Sequence, residues 1–128
     1  MICAYLKNAT EQEVFDKVAT HLLTQMERAV IGKKGVSACQ YRAGELSCAA
    51  GCLIPDEEYD KNFLENKDWG YLIAAGVVPD MHADLVIPLQ HIHDRNEPQF
   101  WKQKLEALAW NRGLDFGDAL QQLPITKE

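Results

Sequence analysis

Val14, Phe15, Val18, Leu22, Leu23 and Met26 recur at helical spacing, so the segment after Thr10 has one apolar face. Thr10-Glu11-Gln12-Glu13 in front of it is a capping box: the Thr10 hydroxyl accepts from the amide three residues on, and Glu13 reaches back. The pattern predicts an amphipathic helix of about four turns, ending before Gly32. Gly32 to Gly35 reads as a turn. Val36 to Arg42 then reads as a strand and Leu46 to Cys48 as its return, joined through Ala43-Gly44-Glu45. A two-residue turn at Ala43-Gly44 pairs Arg42 with Glu45 and sets Cys39 opposite Cys48. A three-residue turn pairs Arg42 with Leu46 and makes Cys39 a diagonal neighbour of Cys48. The opposite charges of Arg42 and Glu45 favour the first register.

Ser47 or Cys48 starts a short helix, Ala49 to Ile54, which Pro55 stops because proline disfavours helical geometry in the residue before it. Asp56 reads as the N-cap of a helix from Glu57 to Leu64. Asp68 reads as the cap of another from Trp69 to Ala75, closed by Gly76, and Asp80 is a further cap candidate. Met81 to Asp94 is ambiguous. Leu85, Leu89 and Ile92 share a helical stripe, Pro88 objects to a helix interior, and a strand from Asp84 to Leu89 is the rival. The apolar spacing outlasts the proline, which favours a kinked helix. Pro98 opens the last long helix, with Trp101, Leu105 and Leu108 as its buried stripe and Gly113 as its stop. Asp115 is placed to cap a final short helix, Phe116 to Gln122. The expected fold class is α+β, mostly α, with five or six helices, several of them short, and one small β-hairpin around Val36 to Cys48.

The 128 residues are 47% hydrophobic and 25% charged, which suits one globular domain, with residues 1–9 as an N-terminal extension and 124–128 as a loose tail. No apolar run reaches bilayer length and the N-terminus lacks a signal-peptide pattern, so a cytoplasmic location is expected and a membrane partner is not. The net charge of −6 repels a phosphate backbone, so nucleic acid is not an expected partner. The basic run Gly32-Lys33-Lys34-Gly35, with Arg28 and Arg42 on either side, is too small to change that and reads as a solvated turn.

Three of the four cysteines, Cys39, Cys48 and Cys52, fall within fourteen positions; Cys3 lies near an end expected to be mobile. On a short helix Cys48 and Cys52 share one face, roughly 6 Å apart at Cβ. Four readings compete. The thiols are small apolar fillers of a dense corner beside Ala49, Ala50 and Gly51. Alternatively Cys39, Cys48 and Cys52 hold zinc, with Cys3 or a distant histidine completing the set; only the Cys48-x3-Cys52 spacing is familiar for that. Or Cys48, in the first turn of a helix, is a nucleophile with His93 as base, while His91 falls with Asp84 and Arg95 on the outer face. The last reading, a regulatory disulfide, fits a reducing cytosol poorly.

Asp56-Glu57-Glu58 with Asp60 lacks the alternating ligands and central glycine of a calcium loop and reads as an acidic helix start. Trp69, Trp101 and Trp110 read as core or interface anchors. Trp110 leans off the main stripe of its helix, where an exposed tryptophan marks a partner surface. Tyr41, Arg42 and Trp110 are therefore the binding candidates.

The run Cys39-Gln-Tyr41-Arg42, then Leu46-Ser-Cys48-Ala49-Ala-Gly51-Cys52-Leu53-Ile54-Pro55-Asp56-Glu-Glu-Tyr59, resembles a family of small bacteriophage and prophage proteins. Val14 to Ala19 is similar to that family's opening helix, and Leu89-Gln90-His91-Ile92-His93-Asp94 with Trp101 to its second half. The resemblance spans roughly Glu13 to Leu114; Pro88 departs from the pattern, and the residues before Thr10 lie outside it. It implies a phage-type accessory protein in the cytoplasm of a bacterial host cell and a helix over Asp84 to Asp94, and it supplies no chemistry. The leading expectation is a non-enzymatic protein that binds a host or phage protein and needs no cofactor. The alternatives are a cysteine-dependent hydrolase or transferase using Cys48 with His93, and a zinc-stabilised module.

Overall fold

The computed structural model describes residues 1–31 and 38–117. The expected turn at Gly32–Gly35, most of the helix from Phe116 to Gln122 and the tail at 124–128 lie outside them. Among the described residues the fold is α+β and mostly helical: five α-helices, several 3-10 turns and two antiparallel pairs of very short strands.

Helix α1 spans Glu11–Gln25. Its capping box forms as the sequence predicts, with Thr10 Oγ1 accepting from Glu13 N and Glu13 Oε1 accepting from Thr10 N. Val14, Phe15, Val18, Ala19 and Leu22 are buried along one face. Met26 does not continue the stripe: it turns left-handed at φ 53°, ends the helix and is exposed.

The single hairpin is replaced by two pairs. Strand β1 (Val30–Ile31) pairs with β2 (Ala38–Cys39), and β3 (Arg42–Ala43) pairs with β4 (Leu46–Ser47). Cys39 therefore lies opposite Val30, and Arg42 lies opposite Ser47, so neither expected register occurs. The turn residues are Gly44 and Glu45, with Gly44 at φ 63°, a conformation that suits glycine. Val36 and Ser37 lie outside the described residues, and among those described the strand does not run on from Cys39 to Arg42. Gln40 N–H bonds back to Ala29 O, and the Tyr41 and Arg42 N–H groups are both taken by the Glu65 carboxylate, at 2.9 and 3.1 Å.

The segment Gly51–Leu53 is one 3-10 turn rather than an α-helix, and Ile54 is extended ahead of Pro55. Asp56 does not cap the next helix. Asp56–Glu58 form a 3-10 turn, and α2 (Lys61–Leu64) starts after Asp60, whose carboxylate accepts from Asn62 N. Helix α3 (Trp69–Ala74) has the expected cap, Asp68 Oδ1 on Tyr71 N, and Gly76 at φ 74° follows it.

Helix α4 (Ala83–Arg95) runs through Pro88, which removes the strand alternative. The carbonyl that Pro88 orphans belongs to Asp84, an exposed residue where water can take the bond. Its N-cap is His82, left-handed at φ 70°, and not Asp80. A 3-10 turn at Pro98–Phe100 leads into α5 (Trp101–Arg112), which ends at left-handed Gly113. The buried stripe of α5 is Trp101, Leu105 and Ala109, with Leu108 at its edge.

Helices α1, α4 and α5 pack on one another, α3 packs on α4, and the Gly51–Leu53 turn packs on α1. Phe15, Leu22, Leu85, Leu89, Trp101 and Leu105 fill the centre. The N-terminus is part of this body and is not a free end: Cys3 and Leu6 are buried, Ile2 N bonds to Val77 O, and the Tyr5 hydroxyl donates to Leu53 O. No helix among the described residues is long and apolar enough to cross a membrane.

Candidate functional site

The motif between Cys39 and Tyr59 folds into a clamp. Arg42 Nη2 donates to Ile54 O and Nη1 to Asp56 Oδ1, both at 2.7 Å, while its guanidinium lies 5.2 Å from the centre of the Tyr59 ring. Glu65, which sequence reasoning missed, ties the other end: besides the Tyr41 and Arg42 amides it accepts from the Tyr59 hydroxyl. Glu65 is buried, and three donors compensate the cost of burying its charge. Tyr41 is itself buried, with its hydroxyl on Lys67 O and its ring edge-on to Trp69. Gly51 fits under Tyr41 because it has no side chain; a Cβ there would stand 2.1 Å from Tyr41 O. The spacing Cys-x-Tyr-Arg … Ile-Pro-Asp-x-x-Tyr thus reads as a set of interlocking supports.

The three motif thiols do not meet. Cys48 is 1% exposed, and its sulfur accepts from Gly51 N at 3.2 Å. Burial, first of all, pushes its pKa well above the ordinary thiol range, and the Gly51 bond offsets only part of that. Cys52 is half-buried, donates to Ala49 O, and is pushed up to about 12, again chiefly by burial. Cys3 donates to Leu53 O and is likewise raised to about 12 by burial, with Glu58 adding to it. A thiol in such surroundings stays protonated and is a poor nucleophile.

Cys39 belongs to a different cluster. Its thiol lies within 4.8 Å of the nearest Asp94 oxygen and His93 nitrogen, and its pKa is raised, first by burial and then by the Asp94 charge. Arg28 Nη2 spans the cluster, 2.7 Å from Asp94 O and 3.5 Å from Cys39 Sγ. Gln90 Nε2 donates to Asp94 Oδ1 at 2.7 Å, and Gln90 Oε1 accepts from Ala50 N. His93 is fully buried, stacked on Trp101 at 5.5 Å, and its two nitrogens are both engaged. Nε2 accepts from Ala29 N at 2.9 Å, which assigns the proton of the neutral ring to Nδ1, and Nδ1–H donates to Asp94 Oδ1 at 2.8 Å. Burial works to raise the Asp94 pKa, but the bonds from His93 and Gln90 outweigh it and the net shift is downward.

Cys39, His93 and Asp94 are, among the described residues, the group of three donors close enough to share an ion, within 4.8 Å of one another. The hydrogen bonding does not fit a metal. A ligating imidazole needs a free lone pair, and the one on His93 is directed at Ala29 N–H. The set Cys39, Cys48 and Cys52 makes no such group, and no hydrogen bond joins His93 to Cys48 among the described residues.

A cleft of about 200 Å³ opens beside the cluster, walled by Cys39, Tyr41, Glu65, Asp68, Trp69 and Asp94. Its carboxylates are all committed: Glu65 and Asp94 as above, and Asp68 as a helix cap. Trp110 stands 85% exposed on α5, while Trp69 and Trp101 are buried.

No protein-family model matches the chain, no curated protein matches it in sequence, and no solved structure matches its fold.

Proposed function

We propose that this chain is a small, non-enzymatic, phage-type accessory protein that works in the bacterial cytoplasm by occupying a host or phage protein, with Trp110 at the centre of the contact. The exposure of Trp110 carries the reading. Ala107, one turn earlier, is exposed and small. An indole held on a rigid helix beside an alanine offers a large, pre-ordered apolar surface, and residues of this kind contribute about 2 kcal/mol or more when a partner pocket covers them.

What stands against the cysteine-enzyme alternative is the engagement of both its parts. The Cys48 sulfur is buried and protonated, and the His93 lone pair is occupied. The zinc-module alternative loses its ligand set in the same way. The resemblance to phage proteins supports the cellular setting alone.

The test is site-directed photo-crosslinking in bacterial cells, with a benzophenone side chain at position 110 and, as control, at exposed Glu57. A discrete adduct of one mass from position 110, absent from position 57, supports the proposal. Equal or absent adducts at the two positions overturn it.

A further inference from the structure

A second cleft, of about 590 Å³, lies between α1 and the β3–β4 turn, and Lys17, His21, Arg42, Ser47, Cys52 and Asp56 line it. In a chain of net charge −6 it gathers two full cations, Lys17 from α1 and Arg42 from β3. Lys17 makes no ion pair among the described residues; its ammonium stands 5.8 Å from the centre of the Tyr5 ring. Arg42 has one carboxylate partner, Asp56, whose side chain is 90% exposed and otherwise surrounded by solvent. Exposed Glu45 is the remaining acid of the lining. His21 donates Nε2–H to Ser47 O at 2.9 Å and forms part of the lining.

We propose that this cleft binds a small oxyanion of the phosphate class between Lys17 and Arg42, and that the Asp56 carboxylate is a resident competitor for the place. The Asp56–Arg42 contact at 2.7 Å already shows a carboxylate oxygen accepting from Nη1 in the cleft. Because the Asp56 side chain is 90% exposed, an incoming anion displaces it at small cost, while the bond from Nη2 to Ile54 O keeps the guanidinium in place. A doubly charged phosphate gains from both cations, where Asp56 engages only one.

The test is a titration of the isotope-labelled protein with inorganic phosphate at constant ionic strength set by sodium chloride, followed by amide chemical shifts. Saturable shifts confined to the neighbourhoods of Lys17–His21, Arg42–Ser47 and Cys52–Asp56 are expected. Lys17→Ala, at an exposed position, should weaken binding about tenfold or more, the equivalent of one charge-assisted hydrogen bond. Asp56→Asn should move the affinity the opposite way and tighten it. The amide spectra report in the same experiment whether each variant is folded. Linear, unsaturating shifts (an ionic-strength effect only), or affinities that Lys17→Ala and Asp56→Asn leave unchanged, overturn the proposal.

Discussion

Ala29 donates its backbone N–H to Nε2 of His93 at 2.9 Å, joining the end of α1's trailing segment to α4 across 64 residues of chain. The bond fixes the tautomer of a fully buried imidazole, and through Nδ1–H it fixes Asp94, which in turn accepts from Gln90 Nε2. The histidine is therefore a structural hub. His93→Ala would leave Ala29 N–H and Asp94 short of a partner and open a space beside Trp101, and it should cost about 2–4 kcal/mol of stability. Asp94→Asn keeps the shape and should cost less, about 1–3 kcal/mol. Urea unfolding of the two variants checks both; a His93→Ala loss below that of Asp94→Asn would remove the hub assignment.

The thiols make a separate prediction. With every cysteine raised by burial, none should behave as an activated nucleophile at neutral pH. Cys48 should be alkylated by iodoacetamide only on unfolding. Half-buried Cys39 and Cys52 should react in the native protein, but more slowly than in urea. Peptide mass spectrometry of timed reactions gives the order, and labelling of Cys48 ahead of the others in native protein would contradict it.

How much of this was legible in the sequence divides along the range of the interactions. Thr10 with Glu13, Asp68, and Gly113 act within one turn of their own helices, so local pattern found those boundaries. The apolar stripe of α4 outlasted Pro88 for the same reason: five buried residues on one face outweigh one lost hydrogen bond. The strand pairing was not legible, because Glu65, 23 and 24 residues away, takes the amides that a longer strand would have used. Asp56 reads as a cap by type, yet Arg42 claims its carboxylate and Asp60 caps instead. The candidate site followed suit. The motif was visible, but its meaning depended on Gly51 meeting Tyr41 and on His93 meeting Ala29, contacts with no local signature.

Gly51 and Gly44 should respond differently to the same substitution. At Gly51 an added Cβ would fall 2.1 Å from Tyr41 O and 2.9 Å from Tyr41 C, so backbone must move. The carbonyl displaced is the one that accepts from Cys48 N, so the corner loosens as a unit. Gly51→Ala should cost about 3 kcal/mol or more, at the upper end of overpacking effects. At Gly44 a Cβ meets nothing within 4 Å, and only the left-handed backbone objects, at φ 63°. Gly44→Ala should therefore cost about 1 kcal/mol. Equal losses in thermal or urea unfolding would mean that Gly51 is not the pivot of the motif.

Acid should weaken the fold in two stages, and His21 should own the first. Burial lowers the His21 pKa below 6.5, with nearby His93, Arg42 and Lys17 adding to it and the Ser47 carbonyl opposing. A base whose folded pKa is depressed resists protonation only while folded. Above 6.5 neither state carries the proton and stability is full; as the pH falls below 6.5 the unfolded chain takes it up first, and stability declines until the folded pKa is passed. Asp94 acts lower. Its folded pKa lies below 3.8, so its contribution is whole above that value and is lost as the pH falls through the folded pKa. Urea midpoints measured from pH 7 downward should thus fall gently at first and then more steeply in the carboxylate range. His21→Gln keeps a donor for Ser47 O but cannot titrate, so it should flatten the first stage and leave the second in place. A variant whose midpoint declines between neutrality and the carboxylate range as steeply as the parent would assign that stage to another group.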